Sequence, residues 1–328
     1  MEPNGLIRVR RSWPANRGVI DAARVVLCGA LLVLCGPAFA QCEGRLALQV
    51  LGSGGPIADD ARASSGYLLW IDGHARLLVD AGGGTFLRFG ESGANIEDLE
   101  AILLTHLHTD HATDLPALLK GGYFSDRTRP LPVIGPDGAP GWPGVGAFMH
   151  GLFAPGSGVF RYLAGFLDGS DQLFETPVVE VDHRSRIAQT VIDEPNLKVR
   201  VIGVRHGVVP ALGVLIEAGA WSIALTGDQN DDNPQFVELA KGANLLVVDH
   251  AIPASAGEVA RALHLTPQAI GRMAAEARVG HLVLSHLMAR SLRHLEQSRD
   301  IIGQRFSGPV SVAEDLACFV IDRGPVAR

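Results

Sequence analysis

The chain has 328 residues, of which 47% are hydrophobic and 19% charged, and its formal net charge is −7. That length accommodates one large domain or two small ones, and the apolar share is ample for a packed core. The balance excludes an intrinsically disordered chain and a strongly basic nucleic-acid binder.

The first forty residues differ from the rest. Arg8, Arg10, Arg11, Arg17 and Arg24 precede or enter an apolar run over residues 25–34, which gives way to Gly36-Pro37 and then Ala38-Phe39-Ala40. A positive n-region, a short h-region and an A-x-A site predict a secretory signal peptide over residues 1–40, cut after Ala40, and a periplasmic or secreted protein. The run is shorter than the about 20 residues needed to span a bilayer, so no membrane insertion is expected after cleavage. Leu34 is too bulky for a lipoprotein signal at Cys35. The Arg10-Arg11 pair leaves twin-arginine export open beside the general route. Loss of the leader removes five arginines and two acids, which leaves 23 basic against 33 acidic residues and a net charge of −10. Cys42 and Cys318 then remain, one near each end. In an oxidising compartment they can pair and tie the ends together; otherwise Cys42 is free and Cys318 is an inert strand residue.

Apolar runs broken by Gly or Pro predict strands over 46–51, 66–71, 75–80, 101–104, 131–134, 199–205, 213–217, 221–225, 244–248, 281–284, 310–312 and 318–321. Helical patterns fall at 113–119, 234–240, 267–277 and 292–305, several opened by Pro or a capping residue. Strands in each half with helices between them predict two sheets packed face to face and covered by helices. Residues 121–176 hold 9 of the 19 aromatics amid frequent Gly and Pro. They form an expected insertion that acts as a lid or pocket wall, or as a satellite core of Phe148, Phe153, Phe160, Tyr162 and Phe166.

The chemistry concentrates in "ILLTHLHTDHATDL", residues 102–115. His106 and His108 follow a predicted strand two apart, and in extended chain such residues project to the same side. Asp110 and His111 come where the chain turns into a helix, so they can serve a neighbouring point. Imidazoles with a carboxylate are a borderline donor set that suits Zn²⁺, with Fe or Mn as alternatives. His74, His150, His183, His281 and His294 have no such context and read as surface or structural residues.

This H-x-H-x-D-H segment resembles the signature of the metallo-β-lactamase-fold hydrolases, a likeness that extends over most of residues 46–290. The resemblance implies an α/β fold, a four-layer αββα sandwich, over residues 41–328. It also implies ligands after later strands: His206 in "VRHGV", Asp228 in "LTGDQ" and His286 in "LVLSHLMAR". On that pattern His106, His108 and His206 hold one ion, Asp110, His111 and His286 hold a second, and Asp228 bridges both. An aspartate at the bridging position resembles the phosphodiesterases, thioesterases and lactonases of the superfamily rather than its β-lactamases. "LGSGGP", "LLVDAG", "PLPVIGPDG", and "HLTPQAIGRMAAEA" followed by "LVLSH" are similar to segments of the ribonuclease Z branch.

The resemblance thus implies a hydrolase with two Zn²⁺ ions, most simply a phosphodiesterase. Lactone, thioester or β-lactam hydrolysis, or a non-catalytic metal-binding member, are the alternatives. Two ions sharing a water would make hydroxide available near neutral pH, with Asp110 orienting it and His264 protonating the leaving oxygen. Where the branch has a Glu after the strand corresponding to "NLLVV", this chain reads Asp249-His250. His250 is read into the acidic position, which leaves the partner of His264 unassigned. An acidic, exported chain without a basic arm is not expected to bind tRNA. Small-molecule or short phosphodiesters are the expected substrates, and a homodimer is compatible with the pattern.

Overall fold

The computed structural model describes residue 42 and residues 44–321; the leader assigned to residues 1–40 lies outside them. The first sheet contains β1 (Leu46–Gly52), β2 (Gly66–Ile71), β3 (His74–Val79), β4 (Ala101–Leu103), β5 (Val133–Pro136) and β6 (Val178–Val181). The second contains β7 (Gln189–Glu194), β8 (Leu197–His206), β9 (Val209–Ala218), β10 (Trp221–Leu225), β11 (Leu245–Asp249), β12 (His281–Ser285) and β13 (Val310–Val312). The last strand, β14 (Cys318–Val320), returns to the first sheet, giving the orders β14-β1-β2-β3-β4-β5-β6 and β13-β12-β11-β10-β9-β8-β7. In each sheet one half is antiparallel and the other, β3 to β6 or β10 to β13, is parallel.

Strand alternation divides the apolar residues among three layers. Leu46, Leu48 and Val50 of β1 meet Leu245 and Val247 of β11 and Val283 of β12 between the sheets. Ala47 and Leu51 turn the other way, toward α1 (Thr85–Glu91), α3 (Leu115–Gly122) and α4 (Val145–Phe153). Leu246 and Val248 of β11 likewise face α5 (Pro234–Leu239), α7 (Pro267–Ala277) and α9 (Leu295–Gly303). The architecture is a helix–sheet–sheet–helix sandwich. Central strands buried on both faces read as continuous apolar runs, and each fully buried Leu or Val contributes about 1.5–3 kcal/mol.

The predicted helix at 113–119 is α3, entered two residues later and preceded by a single turn, α2 (Thr109–Ala112). The one predicted at 292–305 is split into α8 (Ala289–Leu292) and α9. Helices α1, α4 and α6 (Glu258–Arg261) and strands β6 and β7 lie outside the expected elements. Residues 121–176 are built into the first half: β5 joins its sheet, and Phe153, Phe166 and Phe174 are buried in its helical layer, whereas Tyr162 is exposed. No helix among the described residues is long and apolar enough to cross a membrane.

Cys42 and Cys318 are joined in a disulfide that closes a loop of 276 residues in sequence separation and fastens the start of the domain to the edge strand β14. Crosslinks of this kind stabilise by about 2–5 kcal/mol, chiefly by restricting the unfolded chain. Cys318→Ser should therefore lower the urea midpoint, and reductant should lower the wild-type midpoint to match. Identical midpoints for oxidised, reduced and substituted protein would contradict this role.

Candidate metal centre

The site residues cluster where strands end at their carboxyl termini, the edge at which open α/β sheets place ligands. Asp80 follows β3, His106 follows β4, and His206 ends β8. Asp228 follows β10, Asp249 ends β11 and His286 follows β12. Gly82 keeps the loop after β3 against α2, since a Cβ there would lie 2.1 Å from the Asp110 carbonyl oxygen. Gly227, at φ +56, makes the turn that presents Asp228.

Thr105 and Asp80 organise the first histidine. The Thr105 hydroxyl donates to Asp80 Oδ2 at 2.9 Å, so it can only accept from His106 Nδ1, 3.1 Å away. His106 Nε2 is then unprotonated. His206 is fixed in the same way by donating from Nδ1 to the Leu263 carbonyl at 2.8 Å. Both bare Nε2 atoms face His108 Nδ1, at 3.0 Å for His106 and 3.2 Å for His206. At most one proton serves the three nitrogens. Burial, reinforced by neighbouring imidazoles, drives His106 well below the ordinary histidine pKa and lowers His108 and His206 as well.

Asp110, His111 and His286 form a second trio, and all their donor atoms lie within 4.8 Å of one another. His111 donates from Nδ1 to Asp80 Oδ2 at 2.8 Å, which leaves its Nε2 buried and without a partner. His286 Nε2 lies 3.2 Å from Asp110 Oδ2. Asp228 stands between the trios: Oδ1 is 3.6 Å from His111 Nε2, and Oδ2 is 3.3 Å from His286 Nε2 and 3.8 Å from His206 Nε2. Burial opposes charge on both acids, but the surrounding imidazoles hold Asp228 well below the carboxylate range and Asp110 at about 2. Burial likewise opposes a charged His286, yet Asp228 and Asp110 push it up to about 10; Asp228 and Asp80 raise His111. Asp80 and His286 both sit at positive φ, +62 and +51, an uncommon conformation that His and Asp tolerate better than most residues.

All seven residues expected as ligands are brought together, in the two trios and with Asp228 in the intervening place. Converging bare nitrogens and carboxylates, with an orphaned buried His111 Nε2 among them, match the donor chemistry of divalent cations such as Zn²⁺. His264 lies at the edge of this group, its Nδ1 3.1 Å from Asp249 Oδ2 and 3.7 Å from Asp228 Oδ2.

One expectation is corrected. His250 does not occupy the acidic position; Asp249 does. Along β11, Leu245 and Val247 face the other sheet and Leu246 and Val248 the helices, so alternation carries Asp249 to the site and turns His250 away. His250 is fully buried, both ring nitrogens lack partners among the described residues, and burial pushes its pKa down to about 4. Asp80 and Arg290 join the site without having been among the expected residues. A carboxylate ending the apolar run of β3 was the available signal for Asp80; Arg290 had none. His74, His183 and His281 have local partners in Asp98, Asp137 and Ser311, outside the seven-residue cluster.

Residues 75–287 match the model of the β-lactamase superfamily domain. Ribonuclease Z of Mycolicibacterium paratuberculosis is 31% identical over 289 residues, covering 84% of this chain and 99% of that protein. The short form of human tRNase Z superposes with a TM-score of 0.63 at 22% identity, over 84% of this chain and 100% of the other. Zn²⁺-bound PqqB from Methylobacterium extorquens superposes with a TM-score of 0.60 at 16% identity, over 84% and 100%. Fold and site together define a metal-dependent hydrolase. The chain belongs to the metallo-β-lactamase superfamily, in its ribonuclease Z-like branch.

The two trios should differ in their proton balance. Without a cation, His286 holds a proton up to about pH 10, whereas His106 and His206 are neutral at pH 7. Binding at the second trio must displace protons, so its apparent affinity should rise with pH through neutrality and level off near pH 10. Calorimetric titration of the metal-depleted protein with Zn²⁺, in buffers of different ionisation enthalpy, should show proton release at pH 7 for one equivalent and little for the other. Equal release by both equivalents would contradict this division.

Proposed function

We propose that the protein is an exported dinuclear zinc hydrolase, with Fe or Mn as substitute metals, that cleaves small-molecule or short phosphodiesters. The observation that carries this reading is the His264–Asp249 pair standing beside a complete set of seven ligands. His106, His108 and His206 would hold one ion, Asp110, His111 and His286 the other, and Asp228 both. When bound, such ions supply Lewis acidity and lower the pKa of a water held between them.

The chain's own residues supply the remainder. Asp110 would accept a hydrogen bond from the attacking water and orient it. The Asp249 carboxylate fixes the His264 proton on Nδ1, while Nε2 makes no hydrogen bond among the described residues. His264 Nε2 can thus carry a proton to the leaving oxygen. Arg290 shares a recess with His264. Its Nε donates to the Ala251 carbonyl at 2.8 Å, while its Nη atoms make no bond among the described residues, which suits a phosphate oxygen. Export is supported by the pattern of residues 1–40 and by the disulfide, and exclusion of tRNA by the acidic balance of the chain.

A general acid matters most when the leaving group is basic. His264→Ala should depress turnover of an alkyl or nucleotide diester by about 10²–10⁴-fold and that of a bis-nitrophenyl phosphate much less, with metal content unchanged. Asp249→Asn should show a smaller defect of the same selectivity, and His250→Ala no selectivity at all. Equal losses on both substrates would place His264 in the scaffold. Efficient cephalosporin hydrolysis without activity on either diester would overturn the phosphodiesterase reading.

Export is tested separately. Protein recovered from the periplasm or medium of its host should begin at Gln41, and recovery of a chain that retains residues 1–40 would remove this part of the proposal.

A further inference from the structure

Trp142 is the feature of the site that neither the ligand set nor the acid accounts for. It lies in the loop between β5 and α4, and its indole packs on His108 with ring centroids 5.9 Å apart and planes at 69°. His108 is the least buried of the seven ligand residues, so this indole sits where the metal centre opens to solvent. A half-buried tryptophan is usually explained by packing. Here that explanation fails, because Trp142 belongs to none of the apolar clusters, while Phe148 and Leu152 of the adjacent helix pack against one.

The loop is also built to hold the ring still. Ala139 and Trp142 exchange two backbone hydrogen bonds, at 3.0 and 2.8 Å, across a turn closed by Gly141 at φ +82. Pro140 lies within the turn and Pro143 follows it. Asp137 anchors its start: its N–H donates to the Val181 carbonyl at 2.9 Å, and its carboxylate accepts from the backbone N–H of His183 at 2.9 Å. A rigid turn that carries a large aromatic ring to the mouth of a metal site, without using it in the core, provides a flat apolar surface beside the reacting group.

We infer that Trp142 is a specificity-determining residue, the stacking platform for a flat aromatic group, a nucleobase or an aryl ring, carried next to the scissile phosphate. This deepens the phosphodiesterase reading and rests on it for the identity of the scissile group. Stacking of this kind is tolerant of which ring is presented, because every base or aryl group has a π-face. It predicts binding selectivity without a change in the chemical step.

Two comparisons in the metal-loaded protein test it. In turnover, Trp142→Ala should raise KM for the dinucleotide thymidylyl-thymidine by about 5–150-fold, the range of one base–aromatic stack, with kcat unchanged. KM for the doubly abasic counterpart should not move, and Trp142→Phe should restore most of the loss. In binding, measured by calorimetry, wild type should prefer phenyl phosphate to methyl phosphate and Trp142→Ala should not. A defect in the first comparison alone identifies a nucleobase platform, and in the second alone an aryl platform. If wild type cleaves neither dinucleotide, the phosphodiesterase reading fails by itself, and the binding of thymidine monophosphate against deoxyribose 5-phosphate still decides Trp142. Equal losses with and without the aromatic group, no loss at all, or a fall in metal content would each overturn the inference.

Discussion

The first trio of ligands depends on a shortage of protons. Thr105 and Leu263 fix the tautomers of His106 and His206, so that two bare Nε2 atoms point at His108 Nδ1 from 3.0 and 3.2 Å. Those are hydrogen-bond distances with one proton at most to share. A few ångströms away Asp110 and Asp228 face His111 Nε2, which is buried and makes no hydrogen bond. A buried polar atom without a partner costs about 1–3 kcal/mol, so a chain that spent nothing else on this arrangement would be better served by apolar residues. A divalent cation satisfies the converging lone pairs and the carboxylates at once.

Holding such an arrangement against its own repulsion requires a stiff frame. The parallel halves of both sheets deliver their carboxyl ends to one edge, and the layer between the sheets is packed with Leu, Val and Ile along its length. Tyr67 ties the two sheets directly beneath the site, its hydroxyl donating to Ser285 at 2.9 Å, one residue before His286. Asp80 serves two elements at once by accepting from both the Thr105 hydroxyl and His111 Nδ1. Outer partners of this kind commonly orient metal ligands as strongly as the ligands' own backbone does. The positive φ of Asp80 and His286 is strain that the surrounding packing sustains.

Much of this was legible in the sequence, and what was not has physical reasons. The central strands could be read because burial on both faces makes them continuous apolar runs. The ligands stood out because several donor types follow strand ends at short spacing. Helices α1 and α4 leave little trace because TFLRFGE and VGAFMHGLF carry internal glycines and no side-chain cap, and β6 and β7 because much of their surface is exposed, so neither forms a continuous apolar run. His250 and Asp249 differ by one residue along a strand, and one residue exchanges the two faces. The apolar run itself held the correction, since Leu245, Val247 and Asp249 share a parity. Trp142 offered no such handle, because its position next to His108 depends on a turn and on the pairing of β5 with β6, neither of which leaves a periodic trace.

The charge at the site bears on what it can accept. Asp80, Asp110, Asp228 and Asp249 are all buried around the histidines, in a chain whose net charge is already −7. The first three histidines are neutral and the proton on His286 offsets only part of this acid, so the unfilled edge of the sheets would repel a phosphodiester. Two divalent ions would carry enough positive charge to offset the carboxylates, and the guanidinium of Arg290 would then tip the balance toward an anion. Substrate binding would thus depend on the metals even before any bond is broken, and weakening either trio should be felt in affinity as well as in rate. A neutral lactone or thioester would not share that dependence. On the proposed function, the concentration of buried acid means that an anionic substrate would be recognised only after the site has been filled.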